Sequence, residues 1–180
     1  AAAWVSYPLL VYSFRNIGRW YKTLPLIALM AAARFASIYG GWDVDLPMSI
    51  GFAVLVILPL VLALFLDRFL VKRLGAFLAT LVFPCAYLLL DYLLTYTNVG
   101  MTFSLAYSQC TFPALIQSAS LLGSWFVGFL VAWFAPVAVL LVSKGKTSSG
   151  RKTLAAYFAI LAAVLVFGSL RLVFFTPQGQ

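Results

Sequence analysis

Uncharged runs organise this sequence. Leu46 to Leu66 holds 21 residues without a charge, close to the roughly 20 apolar residues that carry a helix across a bilayer. Leu74 to Leu90 is also uncharged, and the run continues past Asp91 to about Tyr96. From Tyr92 to Ser143 there is no charge across 52 residues. That length exceeds one span, so it is expected to hold the end of one helix, an uncharged loop and a second helix. Asn98, Gly100, Thr102, Ser104, Ser108, Gln109, Thr111 and Pro113 mark the loop, and the second helix then runs from about Leu115 to Val142. Thr153 to Leu170 gives a further span, extending to Phe175 before Pro177. Thr23 to Gly41 is apolar but interrupted by Arg34. Ala1 to Phe14 is too short to span alone and reads as a truncated first helix. The pattern predicts an all-α, polytopic integral membrane helix bundle over residues 1–175, with about six transmembrane helices of which the first is truncated.

The loops between these runs alternate in charge. Arg15, Arg19 and Lys22 fall in the first, Asp43 and Asp45 in the second, and Arg68, Lys72 and Arg73 in the third. The segment from Tyr96 to Pro113 carries none, and Lys144, Lys146, Arg151 and Lys152 fall in the last. Ten of the 12 basic residues therefore occupy three alternate loops, the exceptions being Arg34 and Arg171. Basic loops face the cytoplasm, so the acidic and uncharged loops and the C-terminus are expected outside.

Composition sharpens this picture. At 64% hydrophobic and 9% charged, with a mean hydropathy of +1.06, the chain lies far from soluble domains, which are about half apolar and a quarter charged. A net charge of +8 would point to nucleic acid on a soluble protein. Here it follows the loop bias, and no nucleic-acid partner is expected. The chain contains no His and no Glu, and its four acids are Asp43, Asp45, Asp67 and Asp91. Ser-His-Asp triads, His-based metal sites, Glu-Lys-Cys constellations and paired-Glu chemistry are thereby excluded from these residues, and no metal or cofactor is expected. The cysteines, Cys85 in an apolar run and Cys110 in a polar one, make no disulfide framework. The chain opens on Ala1-Ala2-Ala3 without an initiator methionine or a basic n-region. It reads as a piece of a longer protein, with residues 176–180 opening an external linker.

Several clusters invite a chemical reading. Gly145-Lys146-Thr147 imitates the end of a P-loop, but position 140 is Leu where the motif needs Gly, so a solvated basic loop is the reading. Ser120, Ser124, Gly128 and Ala132 recur every four residues, a small-residue ridge suited to close helix approach; a lipid groove on the same face is the sharper alternative. Asp91 lies in an apolar helix, where a charge is costly and takes a partner. Counted at 1.5 Å per residue, Asp91 lies about 26 Å from Leu74, Arg171 about 27 Å from Thr153 and Arg34 about 17 Å from Thr23. Asp91 is therefore placed near the outer surface beside at least one cation, as a structural ion pair or as part of a substrate site. The outward loop offers uncharged hydrogen-bonding groups in Tyr96, Asn98, Thr102, Ser104, Tyr107, Ser108 and Gln109. They are either interface anchors or a functional loop. Cys110 has no evident activating group within that run.

The stretch from Phe83 to Val131 resembles the membrane domain of bacterial apolipoprotein N-acyltransferases. Tyr107-Ser108-Gln109, then Gln117-Ser118-Ala119-Ser120-Leu121-Leu122-Gly123, Trp125 and Phe129-Leu130 carry the likeness. Pro84 and Tyr87 fall where the family has Pro and Trp, and Asp91-Tyr92 where it usually has Glu-Trp. Leu94 stands in place of its Arg, Gly100-Met101-Thr102 in place of its Phe-Pro-Trp turn, and Ala106 in place of the Gly before Tyr-Ser-Gln. Gly168-Ser169-Leu170-Arg171 looks like the family's junction with a second domain.

The resemblance implies a bundle in the bacterial cytoplasmic membrane. It presents phospholipid and a lipidated apolipoprotein to an extracytoplasmic nitrilase-like domain, whose Glu-Lys-Cys triad acylates the lipoprotein through a thioester. The full-length protein would then be an N-acyltransferase, while this chain carries none of the catalytic residues. Asp91, Tyr107, Gln109 and Gln117, with Arg34 and Arg171 as partners, are the substrate-binding candidates. A non-catalytic scaffold for a partner enzyme is the alternative. A small transporter ranks below it, because no internal repeat is evident.

Overall fold

The computed structural model describes residues 2–41, 45–97, 100, 104–144 and 148–174. Among these residues the regular structure is all helical. The helices are α1 (Ala3–Asn16), α2 (Leu24–Tyr39), α3 (Leu46–Leu70), α4 (Ala76–Leu94), α5 (Pro113–Ile116), α6 (Ala119–Lys144) and α7 (Ser148–Phe174). Short 3-10 turns cover Trp20–Thr23 and Leu105–Gln109. Pro25, Pro47 and Pro113 start α2, α3 and α5, where a missing N–H costs nothing. Pro8, Pro59, Pro84 and Pro136 lie inside helices, which membrane bundles tolerate.

Among the described residues four helices are long and apolar enough to cross a membrane: α3, α4, α6 over Ala119–Val142, and α7. α1 and α2, at 14 and 16 residues, fall short of the roughly 20 that a full crossing needs. α6 is the central helix. Buried residues make up 61% of its span, against 22% for α7. α1, α4, α5 and α7 all pack on it, and α3 bridges α2, α4 and α1.

The core is written in seams. On α3, Ala53, Val56, Ile57, Leu60, Ala63 and Leu64 are buried, a spacing of threes and fours that makes one helix face. Tyr7, Val11 and Phe14 give α1 the same kind of face. Two buried side chains of the core find partners across helices. Trp133 Nε1 donates to Thr80 Oγ1 at 3.0 Å, and the Tyr157 hydroxyl donates to the Leu130 carbonyl at 3.1 Å.

The chain rises and falls so that the α1–α2, α3–α4 and α6–α7 connections share one end. A cavity there brings together Arg15 and Asn16 of α1, Lys72 of the α3–α4 turn, Ala76 of α4, and Val139 and Leu140 of α6. This is the basic end of the bundle. The opposite end holds the start of α1, the loop before α5 and the end of α7.

Three details differ from the sequence reading. The helix expected from Leu115 begins instead as α5 and a turn, and α6 bends at Gly123, whose φ of 76° and ψ of 171° are non-helical. A positive φ of this kind suits glycine. The bend separates Ser120 from Ser124, so the small-residue ridge is continuous only through Gly128 and Ala132. At Gly128 an added Cβ would lie 3.3 Å from Leu88 Cδ2, the close approach that a small residue permits. The third difference is Asp67, expected in a loop. α3 continues to Leu70, and the Asp67 side chain is 1% exposed.

Candidate functional site

α1 carries the polar groups that organise the non-basic half of the bundle. Trp4 and Tyr7 lie three residues apart on one face of α1. The indole of Trp4 donates from Nε1 to Oε1 of Gln109 at 2.9 Å. Gln109 is buried, and its Nε2 donates to the Ser108 hydroxyl at 2.7 Å. The loop before α5 is thus tied to the start of α1.

One turn deeper, the Tyr7 hydroxyl donates to that of Tyr87 at 3.2 Å. Tyr87 stacks on Phe83, their rings 5° from parallel. Both hydroxyls lie in the fields of Arg34 on α2 and Asp91 on α4, and Arg34 lines one groove with Tyr7. Arg34 and Asp91 attract one another through this cluster. Among the described residues the direct ion pair is a different one, between Arg15 and Asp67. Counted along their helices, Tyr7 lies about 6 Å from the non-basic start of α1, Arg34 about 15 Å and Asp91 about 22 Å from the basic end. The cluster therefore sits at membrane depth, in the half away from the basic loops. Beside it, Ser6, Tyr7, Arg34, Ser37, Ile57 and Leu60 line a groove of about 280 Å³ between α1, α2 and α3.

The other candidates fall elsewhere. Arg171 does not face Asp91: its guanidinium donates to the Ser120 hydroxyl. With Leu121, Phe167, Leu170 and Phe174 it lines an apolar cavity of about 430 Å³. Gln117 is half-buried in the turn between α5 and α6, where its carbonyl accepts from Ser120. Tyr107 is 57% exposed. Arg34 and Gln109 thus meet the first two turns of α1 and Asp91 acts on them through its field at Tyr7, while Gln117 and Arg171 form a second neighbourhood around Ser120. The P-loop-like Gly145-Lys146-Thr147, Asp43, Asn98, Thr102 and residues 176–180 lie outside the described residues.

Near Asp91, Tyr92 stands edge-on to both Tyr96 and Trp125. The Tyr92 and Tyr96 hydroxyls share a hydrogen bond at 2.9 Å. That bond pushes the Tyr96 phenol above its ordinary range. Cys85 and Cys110 are free and exposed. Cys85 sits on the surface of α4.

Trp4, Tyr7 and Tyr87 escaped the sequence reading as functional positions. The signal for the first two is the helical spacing of Trp4, Tyr7, Val11 and Phe14 on α1.

Residues 1–137 match the family model described as the apolipoprotein N-acyltransferase N-terminal domain. No curated protein and no solved structure matches the chain.

Proposed function

The chain belongs to the apolipoprotein N-acyltransferase N-terminal domain family, and on that premise we propose that it holds phospholipid and a lipidated apolipoprotein for acyl transfer carried out by an extracytoplasmic nitrilase-like domain, in cis or in trans. The observation that carries this reading is Arg34 in one groove with Tyr7, whose hydroxyl pairs with that of Tyr87 in the field of Asp91. Charges at this depth are expensive in a bilayer and mark ligand sites when they face a cavity.

The basic loops support an orientation with that end in the cytoplasm of a bacterial inner membrane; in that orientation the cluster lies toward the outer leaflet and the C-terminus outside. A phospholipid entering between α1 and α2 lays its phosphate against Arg34, a charge-assisted contact. Ser6 and Ser37 offer hydroxyls to the glycerol oxygens. Asp91 suits an amine, either of the headgroup or of the acceptor's N-terminus. Gln109 and Trp4 hold the loop over the start of α1 and so fix the roof of the site. These residues bind and orient. The covalent steps, in which a cysteine takes the acyl chain from the lipid ester and an amine then attacks the thioester, belong to the partner domain.

A phospholipid bearing a photoreactive group near its phosphate tests the site. In proteoliposomes it labels α1 and α2 around Tyr7 and Arg34, and Arg34→Gln removes most of that label. Labelling of equal strength in the variant contradicts the reading and leaves the chain a scaffold.

A further inference from the structure

At the basic end, Arg68 of α3 donates from Nη2 to the Gly18 carbonyl at 3.0 Å. Its Nη1 is buried and has no acceptor. Arg68 lines a cavity of about 580 Å³ together with Arg19, Trp20, Tyr21, Phe65 and Phe69. Arg19 sits at its rim and donates to the Tyr21 hydroxyl at 3.0 Å. Among the described residues no carboxylate lines this cavity. Asp67, the neighbour of Arg68, is engaged by both Arg15 nitrogens at 2.7 and 2.8 Å and is unavailable to neutralise it. Two guanidinium groups therefore share one cavity with no counter-charge, and one of them keeps an unsatisfied donor. A buried donor left unmade is costly, and the side chain that carries it lines the cavity.

The apolar side of the cavity fixes the kind of anion. Phe69 is 68% exposed and Trp20 65% exposed. An aromatic and basic combination at a helix end belongs to the headgroup level of a bilayer, and basic pockets between helices on the positive side take anionic headgroups. We propose that this cavity binds an anionic phospholipid of the leaflet at the basic end, its phosphate between Arg19 and Arg68 and its acyl chains over Phe65 and Phe69. The site is separate from the Arg34 groove and does not depend on the acyl-transfer reading.

The test is lipid titration of the purified protein in neutral detergent, followed by thermal unfolding and native mass spectrometry. The probes are phosphatidylglycerol, phosphatidylcholine and inorganic phosphate. Each cation near an anionic surface contributes about fivefold in affinity, so R19Q/R68Q weakens phosphatidylglycerol binding roughly 30-fold. Phosphatidylcholine binding stays the same in both proteins. R73Q/K152Q removes two exposed charges at the same end and retains the wild-type affinity. Equal phosphatidylglycerol affinity in R19Q/R68Q overturns the proposal, as does an equal loss in R73Q/K152Q. Protection by inorganic phosphate matching that by the lipid also overturns it, since the site then takes a free anion. If R19Q/R68Q does not fold, R19Q alone decides. Arg19 is exposed, and a loss of about fivefold is expected; an unchanged affinity overturns the proposal.

Discussion

Trp4 and Gln109 meet across 105 residues of sequence, indole to amide oxygen at 2.9 Å. This contact joins the first turn of α1 to the loop before α5, and so couples the roof of the site to the helix that carries Tyr7. Gln109→Ala leaves the indole N–H without its partner, at a cost of about 1–3 kcal/mol. Thermal unfolding in detergent measures it. In a cycle with Trp4→Phe the two losses are expected to fall short of additivity. Strict additivity means the contact contributes nothing.

Arg15 holds Asp67 with two nitrogens and the Ala79 carbonyl with one of them at 3.2 Å, linking α1, α3 and α4. Asp67→Asn strands a guanidinium that is only 14% exposed, and breaking one side of such a pair costs about 3–5 kcal/mol. Arg15→Met with Asp67→Leu removes both charges and recovers most of the loss. Denaturation of the three variants in one detergent is the check; a double variant as unstable as Asp67→Asn is the contrary result.

Gly168 sets the crossing of α7 over α5. A Cβ built there lies 1.8 Å from the Ala114 carbonyl oxygen, so a side chain forces the helices apart. Gly168→Ala is expected to cost about 1–3 kcal/mol, as overpacking does. At Gly51 nothing lies within 4 Å, and Gly51→Ala is neutral or stabilising by up to about 1 kcal/mol through helix propensity. The two melting temperatures decide between them.

The fold was legible because its main signal is one-dimensional. Uncharged length fixed α3, α4 and α7 to within a few residues, apart from the extra turn by which α7 begins before Thr153. What the sequence hid depended on direction. Asp67 looked like loop because Arg68, Lys72 and Arg73 follow it, yet it continues the Leu60, Ala63 and Leu64 face. Two helix registers and one arginine on a third helix had to be combined to see it buried. Arg171 and Asp91 share a depth, and depth was all that counting residues provided; their helices turn them toward different neighbours. The bend at Gly123 was similarly invisible, because glycine inside an apolar run reads equally as packing or as a break.

Orientation has its own measurement. In a variant with Cys85 and Cys110 replaced, a cysteine at Ser148 is expected to resist membrane-impermeant thiol reagents in intact cells and to react after lysis. The basic loops motivate this, and labelling from outside reverses the topology and moves the Arg34 groove to the cytoplasmic leaflet.

The decisive measurement follows a phospholipid labelled in its acyl chain. The protein is equilibrated with it in detergent, washed, and divided between organic extraction and hydroxylamine treatment. Thioester formation needs an activated cysteine with an acid or base beside it, and the chain offers Cys85, Cys110 and no His or Glu. The expected result is label that co-purifies, is extracted as intact phospholipid, and falls several-fold in Arg34→Gln. Label that remains on the protein, is released by hydroxylamine and vanishes in Cys110→Ala would place the acyl chemistry within these 180 residues and contradict a domain that only holds its substrates.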